Sequence, residues 1–487
     1  MSAIVLRNGR IGVDGPVGDV VVDGGVVAEV TPGGMGSSAV DPGTEVIDLD
    51  GATVLPGLWD SHVHSVQWAL ARRRIDLSAA GSAREAAEVA RQAALARPGE
   101  IVQGYGFRDA LWPDVPEAGL LPADATVVMV SNDLHTAWLS RGALALTGYG
   151  DHPTGVLREH ECFDVLTRLP SASADDVDAW VAEAMRAAAA RGVTGILDFE
   201  LADNVTDWRR RVRAGEVAVR VRCSVPRIRL EEAIAAGWHT GSVVPDAGGL
   251  LEIGPVKIFT DGSLNTRTAY CADPYPGTDG CGLLETPPDE LASVMRRAAS
   301  NGLHPAVHAI GDLANAVVLD AFEALGGPGR IEHAQLVRSA DIGRFARPGL
   351  IAGVQPAHCP DDRDVADVLW QGRTGRAYPY RSLLEAGAVL EFGSDAPVAP
   401  LDPWDGIASA VARSDDGRPA WHPEQALSVT DALAASSRGR RDIRAGSAAD
   451  LVIVAGDPAR LAPSDLRDIP VLGTLLGGAW THRDEAL

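Results

Sequence analysis

Apolar and polar positions along this chain change their period several times. Near the start they alternate, and residues 3–6, 20–22, 26–30 and 46–49 read as short strands with one face on a core. Asp23-Gly24-Gly25, between two of these runs, is a hairpin-turn signal. Residues 450–454 and 471–476 have the same texture near the other end, the second run followed by Gly477-Gly478. Neither end has room for a core of its own, so both are expected to combine into one small β-sandwich domain. The middle switches to strands alternating with helices. Ser82-Ala83-Arg84-Glu85 is a capping box opening an Ala-rich helix that ends near Arg97-Pro98-Gly99. Residues 175–191, 288–300 and 313–325 carry helical periodicity and stop at glycines, while 192–199 reads as a buried strand. Repeated alternation over this length predicts an α/β fold, a (β/α)8 TIM-like barrel. The expected division is residues 1–55 and 441–487 for the two parts of the sandwich and 56–440 for the barrel.

The apolar run 51–58 reads as a strand leading into Asp60-Ser61-His62-Val63-His64. Residues two apart on a strand share a face, so His62 and His64 project together, a geometry that suits a metal ion. A chance pair at a strand end would look the same. Four later segments decide in favour of the metal. Val256-Lys257-Ile258-Phe259, Ala306-Val307-His308, Ile331-Glu332-His333 and Phe392-Gly393-Ser394-Asp395 each end a strand-like stretch with one candidate ligand. In a barrel, functional groups gather at the C-terminal ends of the strands. A doubly wound sheet would need a glycine-rich phosphate turn where His62 and His64 stand.

The order His-x-His, Lys, His, His, Asp resembles the amidohydrolase superfamily. Asp261-Gly262-Ser263 and His308-Ala309-Ile310-Gly311-Asp312 resemble its amidohydrolase family 3, in the N-substituted formamide deformylase-like branch, and the likeness covers nearly the whole chain. The resemblance implies that His62 and His64 hold one divalent metal with Asp395, while His308 and His333 hold a second. It implies that Lys257 is carboxylated by carbon dioxide into a bridging ligand; an unmodified lysine would point to a single ion. Zinc is the expected metal for an imidazole-rich site, though other first-row ions bind similar ligands. Asp395 would also carry the proton from the attacking water to the leaving nitrogen. By the same resemblance His135 would polarise the substrate carbonyl and Arg267 would meet a polar substrate group. Tyr105, Trp112 and Trp138 are candidates for an apolar pocket wall or for plain core, and His358 for the active rim. Asp312 and Glu332 are candidates for orienting imidazoles or for surface roles. One departure is Gly446-Ser447-Ala448-Ala449-Asp450, which lacks a lysine usual in relatives.

The expected activity is metal-dependent hydrolysis of a non-peptide amide, an N-substituted formamide or a cyclic amide. Deaminases on this scaffold place a Glu shortly after the fifth-strand His, whereas Ile310-Gly311-Asp312 follows His308 here. An ester or lactone hydrolase uses the same apparatus, and a non-catalytic metal-binding sensor or scaffold is the reading from another class.

Composition narrows the partners. With 66 acidic against 43 basic residues, the net charge of −23 opposes binding to nucleic acid. The start lacks a signal-peptide pattern and no run is long and apolar enough to span a bilayer. The five cysteines form no Cys-x-x-Cys, and their odd number suggests reduced thiols in a cytoplasm, with Cys271 and Cys281 the one pair that an oxidising setting would bridge. A small molecule is the expected substrate, with no nucleic-acid or membrane partner and a homodimer left open.

Overall fold

The computed structural model describes residues 3–34, 43–107, 109, 112–131, 136–158, 160–169, 172–215, 217–264 and 266–487. Its contacts divide the chain into two compact units, residues 1–67 with 181–487 and residues 68–180.

The larger unit is built on eight parallel strands, β1 (Leu58–Val63), β2 (Val193–Asp198), β3 (Arg220–Pro226), β4 (Leu251–Phe259), β5 (Pro305–Ala309), β6 (Gly329–His333), β7 (Leu350–Val354) and β8 (Val389–Phe392). Each pairs with the next of these in chain order, so every connection is a crossover between neighbouring parallel strands. The register places Phe259 of β4 opposite His308 of β5, and Ala309 of β5 opposite His333 of β6. The barrel closes just beyond the paired ends of β8 and β1. Asp395 N donates to His62 O at 2.7 Å and His64 N to Ala396 O at 2.9 Å. Gly393 makes that seam possible, because a Cβ there would lie 2.5 Å from the backbone nitrogen of His62.

Both chain ends do combine. Ile4–Ile11, Val17–Asp23, Val26–Pro32, Glu45–Asp48 and Thr53–Pro56 join Leu451–Val454, Val471–Leu476 and Ala479–Arg483 in one mixed sheet. Thr53–Pro56 and Leu451–Val454 form the antiparallel junction, with Val54 opposite Ile453. Leu6, Val27, Val54, Ile453 and Leu475 are fully buried in its apolar core. Gly24 and Gly25 take positive φ at the expected hairpin turn, as do Gly477 and Gly478.

The run 51–58 is not one strand. It breaks at Gly57, where the chain changes partners. Gly57 N donates to Asp450 O in the terminal sheet, whereas Leu58 N donates to Gly192 O beside the barrel. A Cβ on Gly57 would lie 2.3 Å from the Thr194 side chain. The apolar texture was continuous because both strands are buried, so period alone could not locate the change.

Between β1 and β2 the chain builds the second unit rather than further barrel strands. Its five-stranded sheet runs Val156–Arg158, Thr136–Leu139, Thr126–Ser131, Ile101–Phe107, Ile75–Asp76. Helix Ala83–Ala96 packs on it through Ala83, Ala86, Ala87 and Ala90. Ser82 caps this helix by accepting from Glu85 N, and the Glu85 carboxylate accepts from Gly81 N.

All five cysteines are free, including Cys271 and Cys281. No helix among the described residues is long and apolar enough to cross a membrane.

Candidate metal centre

A cavity of about 520 Å³ opens at the C-terminal ends of the barrel strands and is lined by His62, His64, Lys257, His308, His333 and Asp395. These six come from β1, β4, β5, β6 and the segments just after β1 and β8. Three of them, His62, His333 and Asp395, offer ligand atoms all within 4.8 Å of one another. The tightest group therefore takes members from both of the expected metal sets. His62 and His64 share the site as their spacing implies, each Nε2 lying 3.5 and 3.4 Å from Asp395 Oδ1. Lys257 Nζ lies 3.2 Å from His62 Nε2, over the faces of Phe199 and Phe259.

The imidazoles are aimed by their other nitrogens. His62 Nδ1 meets Glu332 Oε2 at 2.8 Å, which fixes the proton on Nδ1 and leaves the Nε2 lone pair toward the cavity. Glu332 is itself held by Arg330 Nε at 2.6 Å, and Arg330 reaches on to Glu391. His333 Nδ1 donates to Gln355 Oε1 at 2.9 Å, and His308 Nε2 to Gly262 O at 3.1 Å. Backbone strain marks the same positions: His333, Ala334 and Asp395 hold φ of 76°, 44° and 57°, a region that non-glycine residues rarely adopt.

Electrostatics prepare the set for a cation. Burial, reinforced by the Lys257 charge, holds His62 well below the ordinary imidazole range and brings His308 to about 4. Burial and the neighbouring His308 do the same for His333. Each shift favours the neutral imidazole, the form that binds metal. Burial pushes the Lys257 amine down to about 8. Burial acts to raise Asp395, but His62, a hydrogen bond from His64 and His333 outweigh it and hold the carboxyl well below its usual range.

The residues fit a divalent ion. Lone pairs and a carboxylate converge where the one cationic group among the described lining residues is Lys257, and His64 Nδ1 is buried with no partner among the described residues. Burying a carboxylate among acceptors is unfavourable unless a cation completes them.

Other candidates fall elsewhere. His135 lies outside the described residues. Trp112 and Trp138 belong to the apolar core of the second unit, where Trp112 stacks on Phe107 and donates to Ala80 O at 2.8 Å. Tyr105 is a partly exposed residue of that unit's strand Ile101–Phe107. Arg267 is exposed in a turn, with φ 57°, and is not part of the cavity wall. His358 is in the wall. Asp312 is fully buried and accepts from Ala272 N and Arg376, not from an imidazole. Cys359 is buried, its thiol pushed up to about 12 by burial.

Sequence reasoning passed over Asp60, Gln335 and Gln355. Asp60 Oδ1 accepts from both His62 N and Ser394 N at 3.0 Å, tying β1 to the turn that carries Asp395. Gln335 stands two residues after His333, the spacing that had singled out His62 and His64, and that signal was available.

The amidohydrolase family profile matches residues 45–482. The chain is 29% identical over 478 residues to protein LONG AFTER FAR-RED 3 of Arabidopsis thaliana, covering 89% of this chain and 80% of that one. It is 27% identical over 531 residues to an N-substituted formamide deformylase of Arthrobacter pascens, covering 94% of each. Among solved structures, an uncharacterized metal-dependent hydrolase from Pyrococcus horikoshii OT3 superposes with a TM-score of 0.77 at 26% identity, over 95% of this chain and 99% of that one.

Proposed function

This chain belongs to the amidohydrolase family, and from that premise we propose that it hydrolyses a non-peptide amide, an N-substituted formamide or a cyclic amide. Metal-dependent hydrolase chemistry is supported by the family scaffold together with the candidate metal-binding cluster. The amide is the finer reading, supported by the full-length likeness to a formamide deformylase. The observation that carries it is the convergence of His62, His333 and Asp395 within 4.8 Å in the wall of a cavity large enough for a small molecule.

His62, His64, His308, His333 and Asp395 would hold the metal, with zinc preferred for so many imidazoles. Bound there, a divalent ion supplies a nucleophile at neutral pH and polarises the substrate carbonyl. Asp395 accepts the proton of the attacking water and returns it to the leaving nitrogen. Glu332 and Gln355 keep the ring nitrogens of His62 and His333 directed into the cavity. Lys257 is read as a carboxylated ligand that bridges two ions. Its buried amine, brought to about 8, is about one-tenth neutral at pH 7, and the neutral amine is the form that adds carbon dioxide and loses a proton to give a carbamate.

Elemental analysis of purified protein, joined to turnover on a panel of N-substituted formamides, cyclic amides, esters, lactones and amino-heterocycles, tests the proposal. The expected result is one or two ions per chain and amide cleavage that a chelator abolishes and added metal restores. Stoichiometric metal with turnover only of an ester, a lactone or an amino-heterocycle would replace the substrate reading. Inertness of the metal-loaded protein toward the whole panel would overturn it. In Lys257→Ala, loss of bound metal with partial recovery in short-chain carboxylates is expected; unchanged stoichiometry counts against the bridging role.

A further inference from the structure

Asp261 is 1% exposed and lies two residues past the end of β4. Its carboxylate is filled by main-chain donors from two other segments. Oδ1 accepts from Ile310 N at 3.0 Å, and Oδ2 from Gly311 N at 2.8 Å and Tyr270 N at 2.9 Å. Ile310 and Gly311 lead from β5 into the helix Asp312–Leu325, and Tyr270 O accepts from Leu313 N and Ala314 N in that helix's first turn. One carboxylate thus ties the turn after β4 to the turn after β5 and to the strap at Tyr270.

His308 lies between these ties. Three consecutive residues grip it: Thr260 N donates to His308 O at 3.2 Å, Asp261 Oδ1 holds the amide two residues further on, and Gly262 O meets His308 Nε2 at 3.1 Å. Asp261 Oδ1 itself lies 3.6 Å from the same ring nitrogen. A carbonyl oxygen only accepts, so Nε2 carries the proton and the Nδ1 lone pair is left for a cation. That tautomer depends on where the Gly262 carbonyl sits. Its position is set by the neighbouring Asp261, whose two oxygens are both committed. A Cβ on Gly262 would lie 2.0 Å from Thr268 Oγ1, so the turn is also packed tightly on its other side.

We infer that Asp261 is a positioning residue that fixes the tautomer and direction of His308 through the Gly262 carbonyl. It is not among the cavity-lining residues and acts only through its neighbour. This rests on the reading of His308 as a metal ligand within the amide-hydrolase proposal. A helix anchor with no bearing on the site is the competing role, and it predicts lower stability with an unchanged His308.

Full-length protein carrying isotope-labelled histidine is stripped with a chelator, and long-range proton–nitrogen correlation spectra read which ring nitrogen of His308 is protonated. The signal is identified by its loss in His308→Gln. Zinc affinity is measured separately by competition with a chelator. The wild type should carry the proton on Nε2. Asp261→Asn keeps the volume, but whichever way the amide is turned its NH2 faces a main-chain N–H, because both carboxylate oxygens accept. This variant should mix the two His308 tautomers and weaken zinc binding roughly 10–100-fold. Gly262→Ala displaces the carbonyl and leaves the carboxylate intact. It should give the same mixing, and it decides the matter if Asp261→Asn does not fold. Three results would each overturn the positioning role: a wild-type proton on Nδ1, variants that lose thermal stability alone while the tautomer is unchanged and zinc affinity stays within twofold, or unchanged zinc affinity in His308→Gln. Lack of turnover on the amide panel would remove the hydrolase reading alone, since neither readout involves a substrate.

Discussion

The barrel mouth and the terminal sheet are both buried, but they are built on opposite principles. The terminal sheet is filled with aliphatic side chains such as Leu6, Val54 and Ile453, whose burial is favourable and indifferent to direction. At the barrel mouth His62, Lys257, Glu332 and His333 are equally buried, and each requires a partner in a particular place. The first region can exchange one hydrocarbon for another at modest cost. The second is held by directional bonds, from His62 through Glu332 and Arg330 to Glu391. Stability resides mainly in the former kind of region and chemistry in the latter.

Substitutions can break this contrast at either end. The largest effect is expected from Asp395→Asn, which removes the proton carrier without changing side-chain size. Its kcat should fall by about 10²–10⁴-fold with an unchanged circular dichroism spectrum; near-normal turnover would refute the proton role. Leu6→Ala, in the terminal sheet, should lower unfolding free energy by about 2–5 kcal/mol in a denaturant titration. Metal content of the folded fraction should stay as in the wild type, and a loss of metal would mean that the two regions are coupled. Glu332→Gln is the converse. It keeps the volume but weakens the constraint on the His62 tautomer, and metal affinity by competition with a chelator should drop roughly 10–100-fold. An affinity within twofold of wild type would show that His62 is aimed by packing alone. The smallest effect is expected for Arg483→Ala, which breaks an exposed ion pair with Glu45 within the terminal sheet. Stability should change by less than about 1 kcal/mol, unlike the buried Arg330–Glu332 pair.

Much of this was legible along the chain. His62, Lys257, His308, His333 and Asp395 each lie near or just past the C-terminal end of an apolar strand, and a barrel collects strand ends on one rim, so their meeting was foreseeable without coordinates. The capping box at Ser82 and the glycine hairpins were legible because caps and turns depend on a few neighbouring residues. The break at Gly57 was not, since both strands it separates are buried and carry the same apolar texture. The separate five-stranded unit was missed for a related reason: strands alternating with helices look alike whether they join one sheet or another.

Residue order alone determined the kind of chemistry, because ligand types at the ends of successive strands depend only on period and sequence. Tertiary structure decided which atoms face one another. The pairing of His62 with Glu332 and the approach of Lys257 to His62 arise from closing the sheet into a barrel. Closure brings β1 against β8 and sets distances to tenths of an ångström between residues hundreds of positions apart, and no local pattern of hydrophobicity encodes a distance of that kind.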